Sequence, residues 1–314
     1  MSKNQLRAFA LVVSIVSLGA CARSDSPGER AADGPLRIVA TTGMIGDAAR
    51  RIGGEHVAVT TLMGPGVDPH LYKASEGDVR LLADADLVLY NGLHLEGKMG
   101  DVLVKLARSR PVVAVTEDLP RDQLREPAEM AGQYDPHVWF DVALWSSILA
   151  PIERELARLD PPHAAAYASN RAAYATELAE LDGWVGQRIA TIPEPQRVLV
   201  TAHDAFGYFG RRYGIRVVGL QGISTLAEAG LKDVERVVDV IVDSRIPAIF
   251  VESSVPKKAI EAVQAASRAR GHDVAIGGLL FSDALGPESS AAGTYPGMVR
   301  TNVATIVGAL GGQP

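Results

Sequence analysis

Short apolar runs recur along this chain, each followed by a longer amphipathic stretch, and that alternation restricts it to a parallel β/α architecture. Residues 36–40, 57–63, 87–90 and 112–115 are predicted as strands in the first half, and 198–202, 217–220, 248–251 and 274–276 in the second. The runs are nearly continuous in aliphatic residues, as expected for strands covered by helices on both faces. Four strands and four describe two similar α/β lobes. A chain of 314 residues exceeds the usual size of one core, in agreement with that division.

A helical region separates the two sets of strands. Trp145, Ile148, Leu149, Ile152, Leu156 and Leu159 recur at three- and four-residue steps, one face of an amphipathic helix. Asp160-Pro161-Pro162 breaks it, and a second helix is predicted over 162–190, with Tyr167, Tyr174, Leu178, Leu181, Val185 and Ile189 as its buried stripe. At 1.5 Å per residue it is about 40 Å long, enough to traverse a domain. Pro193 and Pro195 end it. The expected division is a first lobe over 35–161, a linking helix over 162–191 and a second lobe over 192–314. One helix joining two lobes resists bending better than a loop, so large hinge closure is not expected.

The first 21 residues read as a targeting segment. Lys3 and Arg7 precede an apolar run over 8–18 that is too short to span a bilayer comfortably. It ends in Leu18-Gly19-Ala20-Cys21, the spacing of a bacterial lipoprotein cleavage box, which makes Cys21 the first mature residue and the point of lipid attachment. This is the only cysteine, so no internal disulfide forms. The polar stretch 22–34 reads as a flexible tether. The mature protein is expected to be exported and held by acyl chains, on the extracytoplasmic face of a membrane or in the periplasm.

Asp-Pro-His occurs twice, at Asp68-Pro69-His70 and Asp135-Pro136-His137, with the histidines 67 residues apart. His203 closes the apolar run 197–202, and Asp283 follows another run in Phe281-Ser282-Asp283. Three imidazoles and one carboxylate, each near the end of a predicted strand or extended stretch, suit a single divalent transition metal. Ligands of open α/β sheets gather at the carboxyl ends of strands, so two donors from each lobe place the ion in the cleft between them. Asp68 and Asp135 are positioned to brace their loops or to hydrogen-bond a ligand from behind. His94, in Asn91-Gly92-Leu93-His94-Leu95-Glu96, also follows a strand and is the chief competitor. His56 and His272 lie in turn-like surroundings, and His163 in the first turn of the long helix. Glu252, after the run 249–251, reads as a buried acceptor that orders nearby loops.

A net charge of −6 without a basic stripe argues against nucleic acid as a partner. No His-Glu-x-x-His helix, Gly-x-Ser-x-Gly elbow or Walker-type phosphate loop is present, and Gly64-Pro65-Gly66 is a turn signal. The rival reading from another class is a metal-dependent hydrolase with Glu252 or Asp204 as general base. Against it, four protein ligands leave no open position of the catalytic kind. A surface adhesin with a structural metal is a third reading.

Five collinear motifs carry a family resemblance: Gly66-Val67-Asp68-Pro69-His70, Tyr90-Asn91-Gly92-Leu93-His94-Leu95-Glu96, Asp135-Pro136-His137-Val138-Trp139-Phe140-Asp141, Thr201-Ala202-His203-Asp204-Ala205-Phe206-Gly207-Tyr208-Phe209 and Phe281-Ser282-Asp283-Ala284. Over about residues 36–310 the chain resembles the zinc/manganese-binding receptors of bacterial ABC transporters, most closely the TroA type. The resemblance implies two parallel α/β lobes joined by a rigid helix, with one Zn²⁺ or Mn²⁺ held between them as cargo rather than as a catalytic cofactor. It carries the four ligands onto His70, His137, His203 and Asp283, the set chosen from the residues themselves, and leaves the His94 position without a ligand role. It further implies a monomeric receptor, not an enzyme, that serves an ABC permease and its ATPase subunit. Two departures bear on the metal. The stretch 118–134 lacks the histidines of the long loop found in zinc-dedicated members, and His203 stands where manganese-dedicated members often have glutamate. A site of three histidines and one aspartate binds zinc more tightly than manganese. Because histidine must lose its proton to coordinate, affinity is expected to weaken as pH falls through about 6.5.

Overall fold

The computed structural model describes residues 34–127 and 132–314. The signal segment, Cys21 and all but the last residue of the tether lie outside the described residues. Leu36–Ala40 (β1), Val57–Thr61 (β2), Leu87–Tyr90 (β3) and Val112–Ala114 (β4) form one parallel sheet in the order β2-β1-β3-β4. The central β1 and β3 are almost wholly buried, whereas the edge strand β2 is half open along its length. The aliphatic runs therefore mark the strands with the most covered faces. The crossovers are helical: Gly43–Gly53 (α1), Glu76–Asp84 (α2) and Gly100–Leu106 (α3).

The expected single helix over Trp145–Leu159 is two helices, Val142–Ser146 (α4) and Leu149–Leu159 (α5). Pro151 explains the break. It has no amide hydrogen to give to a preceding turn, so a helix can pass through it only if it starts just before, as α5 does. The long helix runs over Ala164–Ile189 (α6), preceded by a 3₁₀ turn at Pro161–His163. Its 26 residues extend about 39 Å, and its buried residues are the six of the predicted stripe.

The second lobe contains Val198–His203 (β5), Gly207–Tyr213 (α7), Arg216–Gln221 (β6), Leu231–Asp243 (α8), Ala248–Glu252 (β7), Lys258–Ala269 (α9), Ala275–Leu280 (β8) and Tyr295–Ala309 (α10). Its four strands are all present and parallel to their partners, but they form two pairs, β5-β6 and β7-β8. β5 and β7 lie side by side. At their carboxyl ends a side chain bridges them, for the His203 amide donates to Glu252 Oε1 at 2.9 Å.

α6 packs against α1, α4, α5 and α10. Buried Asp47 of α1 accepts from the Tyr174 hydroxyl of α6 at 3.2 Å and from the Tyr295 amide of α10 at 3.0 Å. The largest hydrophobic cluster accordingly runs through both lobes and the helix between them. Where the lobes meet, Phe140 stacks on Phe206 with centroids 4.2 Å apart. Trp139 Nε1 donates to the Ser282 carbonyl at 2.9 Å, and the Tyr295 hydroxyl donates to the Trp139 carbonyl at 2.7 Å. These contacts hold a narrow junction between the lobes.

Candidate metal centre

The two Asp-Pro-His segments fold alike. Asp68 Oδ1 accepts the His70 amide at 2.8 Å, and Asp135 Oδ1 accepts the His137 amide at 3.0 Å. Each is a turn closed by an aspartate side chain on the amide two residues ahead, with proline presetting the backbone between them. Asn91, just past β3, steadies the second turn by donating to the Pro136 carbonyl at 3.1 Å. His203 is the last residue of β5, and Asp283 lies three residues beyond β8.

The four side chains converge, with His70 4 % exposed, His137 and His203 fully buried and Asp283 2 % exposed. One potential ligand atom from each lies within 4.8 Å of the others. His70 Nε2 is 3.3 Å from His137 Nε2, His137 Nε2 is 3.4 Å from Asp283 Oδ1, and His203 Nε2 is 3.3 Å from Asp283 Oδ2. Donors about 2.0–2.1 Å from a tetrahedral ion stand about 3.3–3.4 Å apart, so these spacings fit a first-row cation. Asp283 turns its two oxygens to different histidines, which offers a fifth donor. His203 Nε2 and Asp283 Oδ1 are buried without a hydrogen bond. Such atoms cost about 1–3 kcal/mol each when left unmet, a cost that a coordinated cation removes.

Carboxylates and hydroxyls stand behind the donors. Asp135 Oδ1 is 2.8 Å from His137 Nδ1, while its Oδ2 holds the Arg125 guanidinium at 2.5 Å. The Tyr208 hydroxyl donates to the Asp135 carbonyl at 2.9 Å and accepts the Arg125 amide at 3.0 Å. Glu252 Oε2 touches His203 Nδ1 at 2.5 Å, in ion-pair contact though off the line of a hydrogen bond. The Ser254 hydroxyl donates to Asp283 Oδ2 at 3.1 Å. Thr225 donates to Asp68 Oδ2 at 2.6 Å and so ties the second lobe to the His70 turn.

This enclosure separates the proton affinities of the imidazoles. Burial dominates at His70 and lowers it to about 3. Burial also opposes protonation of His137, but the adjacent carboxylates of Asp135 and Asp283 outweigh it and raise that residue to about 9. At His203 burial is likewise outweighed, by Glu252 and Asp283, and its value lies well above the ordinary one. Asp283, although desolvated, is held well below the usual carboxylate range by the two histidines.

The other histidines lie outside this cluster. His94 is exposed, has a backbone φ of +64°, and lines a separate cavity of about 280 Å³ beside Tyr90 and Glu96. His56 stacks on His163 at 3.7 Å, and His163 Nδ1 lies 2.8 Å from Asp160 Oδ2. His272 Nε2 sits 2.7 Å from the Ile246 carbonyl. Asp204, next to His203 in the chain, lines a groove with Arg216 and Arg236 and is not one of the four converging side chains. Arg125, Thr225 and Ser254 carry no sequence signal of their own, and Tyr208 stands in the motif of His203 without a role read for it; only folding brings them behind the donors.

Residues 38–309 match the family described as zinc-uptake complex component A, periplasmic. The chain is 50 % identical over 301 residues to a manganese-binding lipoprotein, MntA, of Bacillus subtilis, covering 96 % of this chain and 97 % of the relative. It is 48 % identical over 304 residues to the zinc-binding protein TroA of Treponema pallidum, covering 97 % and 98 %. The solved structure of the periplasmic zinc-binding protein TroA from Treponema pallidum superposes with a TM-score of 0.86 at 50 % identity, over 88 % of this chain and 99 % of that one.

Proposed function

This chain belongs to the zinc-uptake complex component A family, and from that membership together with its own donor set we propose that it is an extracytoplasmic receptor for Zn²⁺ or Mn²⁺. It captures one ion with His70, His137, His203 and Asp283 and passes it to an ABC permease driven by its ATPase subunit. The observation that carries this reading is the convergence of four buried donors at coordination spacing. The relatives named for manganese and for zinc support a divalent first-row cargo. Three imidazoles favour zinc, and the two oxygens of Asp283 supply the extra donor that manganese accepts.

A receptor accounts for the site better than a hydrolase does. Of the two candidate bases, Glu252 is engaged by His203, and Asp204 lines the groove that holds Arg216 and Arg236. Four protein donors surround the ion, whereas catalytic zinc keeps a position for water. Export and acylation at Cys21, with 22–34 as tether, complete the reading: the receptor works at a membrane surface without spanning it. Among the described residues no helix is long and apolar enough to cross a membrane.

The test is metal titration of the mature chain against a chromophoric chelator. One ion per chain is expected for the parent protein. In His137→Ala, tight stoichiometric zinc binding is expected to vanish while the far-ultraviolet spectrum stays the same. Unchanged zinc affinity in that variant would falsify the ligand assignment.

A further inference from the structure

Two of the proposed ligands are backed by buried carboxylates, and the two carboxylates are not equivalent. Asp135, behind His137, shares its charge with Arg125 through its second oxygen. Glu252, behind His203, has no such partner. It is 3 % exposed, touches His203 Nδ1 at 2.5 Å and accepts the amide of the same residue at 2.9 Å. Among the described residues no lysine or arginine reaches ion-pair distance of it.

We propose that Glu252 is the positioning residue that sets how tightly, and how selectively over manganese, this site holds zinc. The inference rests on the reading of His203 as a metal ligand. A carboxylate behind a coordinating imidazole fixes the ring and raises its basicity toward the metal. A carboxylate already paired with a guanidinium does this less, because the cation cancels much of its field, and in a dry interior such fields are strong. Of the two imidazoles backed by a carboxylate, His203 is therefore the one that faces an unshared negative charge. An electron-rich nitrogen gains more with zinc than with manganese, which follows the order of affinity for nitrogen ligands. Glu252 thus acts through His203 and never touches the ion.

The experiment compares the mature parent protein with Glu252→Gln and Asp135→Asn, using chelator competition for Zn²⁺ and for Mn²⁺ at one pH. Glutamine keeps an oxygen for the His203 amide and removes only the charge. Glu252→Gln is expected to weaken zinc by about 10- to 100-fold, within the range seen when groups behind metal ligands are lost. Asp135→Asn is expected to cost a smaller factor. In Glu252→Gln the ratio of zinc to manganese affinity should narrow, whereas a merely structural role would weaken both metals alike. Equal losses in the two variants, a larger loss in Asp135→Asn or an unchanged ratio would overturn the inference. Failure of the parent protein itself to bind would strike the ligand assignment instead. Should Glu252→Gln not fold, Arg125→Gln replaces it: freeing the charge of Asp135 should tighten zinc, and binding that is unchanged or weaker counts against Glu252.

Discussion

Zinc binding at neutral pH should expel close to two protons per ion. An ordinary imidazole titrates near 6.5. His70, lowered to about 3 by burial, holds no proton at pH 7 and has none to release. His137, raised to about 9 by Asp135 and Asp283 against the effect of burial, is about 99 % protonated there. His203 is raised well above its ordinary value by Glu252 and Asp283 and is protonated as well. A cation must displace both protons to reach the two nitrogens. Isothermal titration in buffers of different ionisation enthalpy at pH 7 should therefore return about two protons per zinc, and apparent affinity should climb with pH, by about 10-fold per unit up to about 9 from His137 alone and more steeply while His203 also titrates. This moves the window upward from the value near 6.5 expected for isolated histidines. The same shifts act on the metal-stripped fold. His137 is raised on folding, so its contribution is complete below about 6.5 and is lost as pH rises through about 9, a change on the order of 3 kcal/mol. His70 has the opposite sign, and its contribution is lost as pH falls from about 6.5 toward 3. Stripped protein should thus lose stability toward pH 9 while gaining metal affinity. Release of fewer than one proton at pH 7 would refute the assignment of charge to His137 and His203.

Two further outcomes test the frame around the site. Trp139→Phe keeps most of the buried ring but leaves the Ser282 carbonyl without its donor, so urea unfolding should show a loss of about 1–3 kcal/mol; a loss under 0.5 kcal/mol, roughly the scale of a neutral surface change, would mean that the bond does not help hold the lobes. Cys21→Ala should move the protein from the membrane fraction to another cell fraction without altering zinc affinity in the purified chain. Continued membrane association would count against acylation at that cysteine.

The sequence by itself determined the strands, the long helix and which four side chains converge as candidate donors. Strands covered on both faces must be continuously aliphatic, which is why the strands at 36–40 and 87–90 appear with the expected bounds. A helix buried along one side must repeat every three to four residues, which is why the stripe from Tyr167 to Ile189 was legible. The two Asp-Pro-His copies stand out by repetition, and His203 and Asp283 by closing or following apolar runs; the conjunction, not any one of them, points to a metal. Asp135 behind His137 was legible in its Asp-Pro-His segment; tertiary structure alone decided that Glu252 stands behind His203, that Arg125 shares the charge of Asp135, and how the strands of the second lobe pair. Asp135 is marked by its Asp-Pro-His segment, but nothing local says that its charge is shared and that of Glu252 is not. Arg125 comes to rest on Asp135 and not on Glu252 because the chain folds the 121–127 segment beside Tyr208 of the second lobe. The separation of β5-β6 from β7-β8 is likewise a matter of pairing between distant segments, and no single strand encodes it. The donor types are written locally, but their charges come from neighbours distant in the sequence, most of them within the same lobe, with Asp283 reaching across to His137.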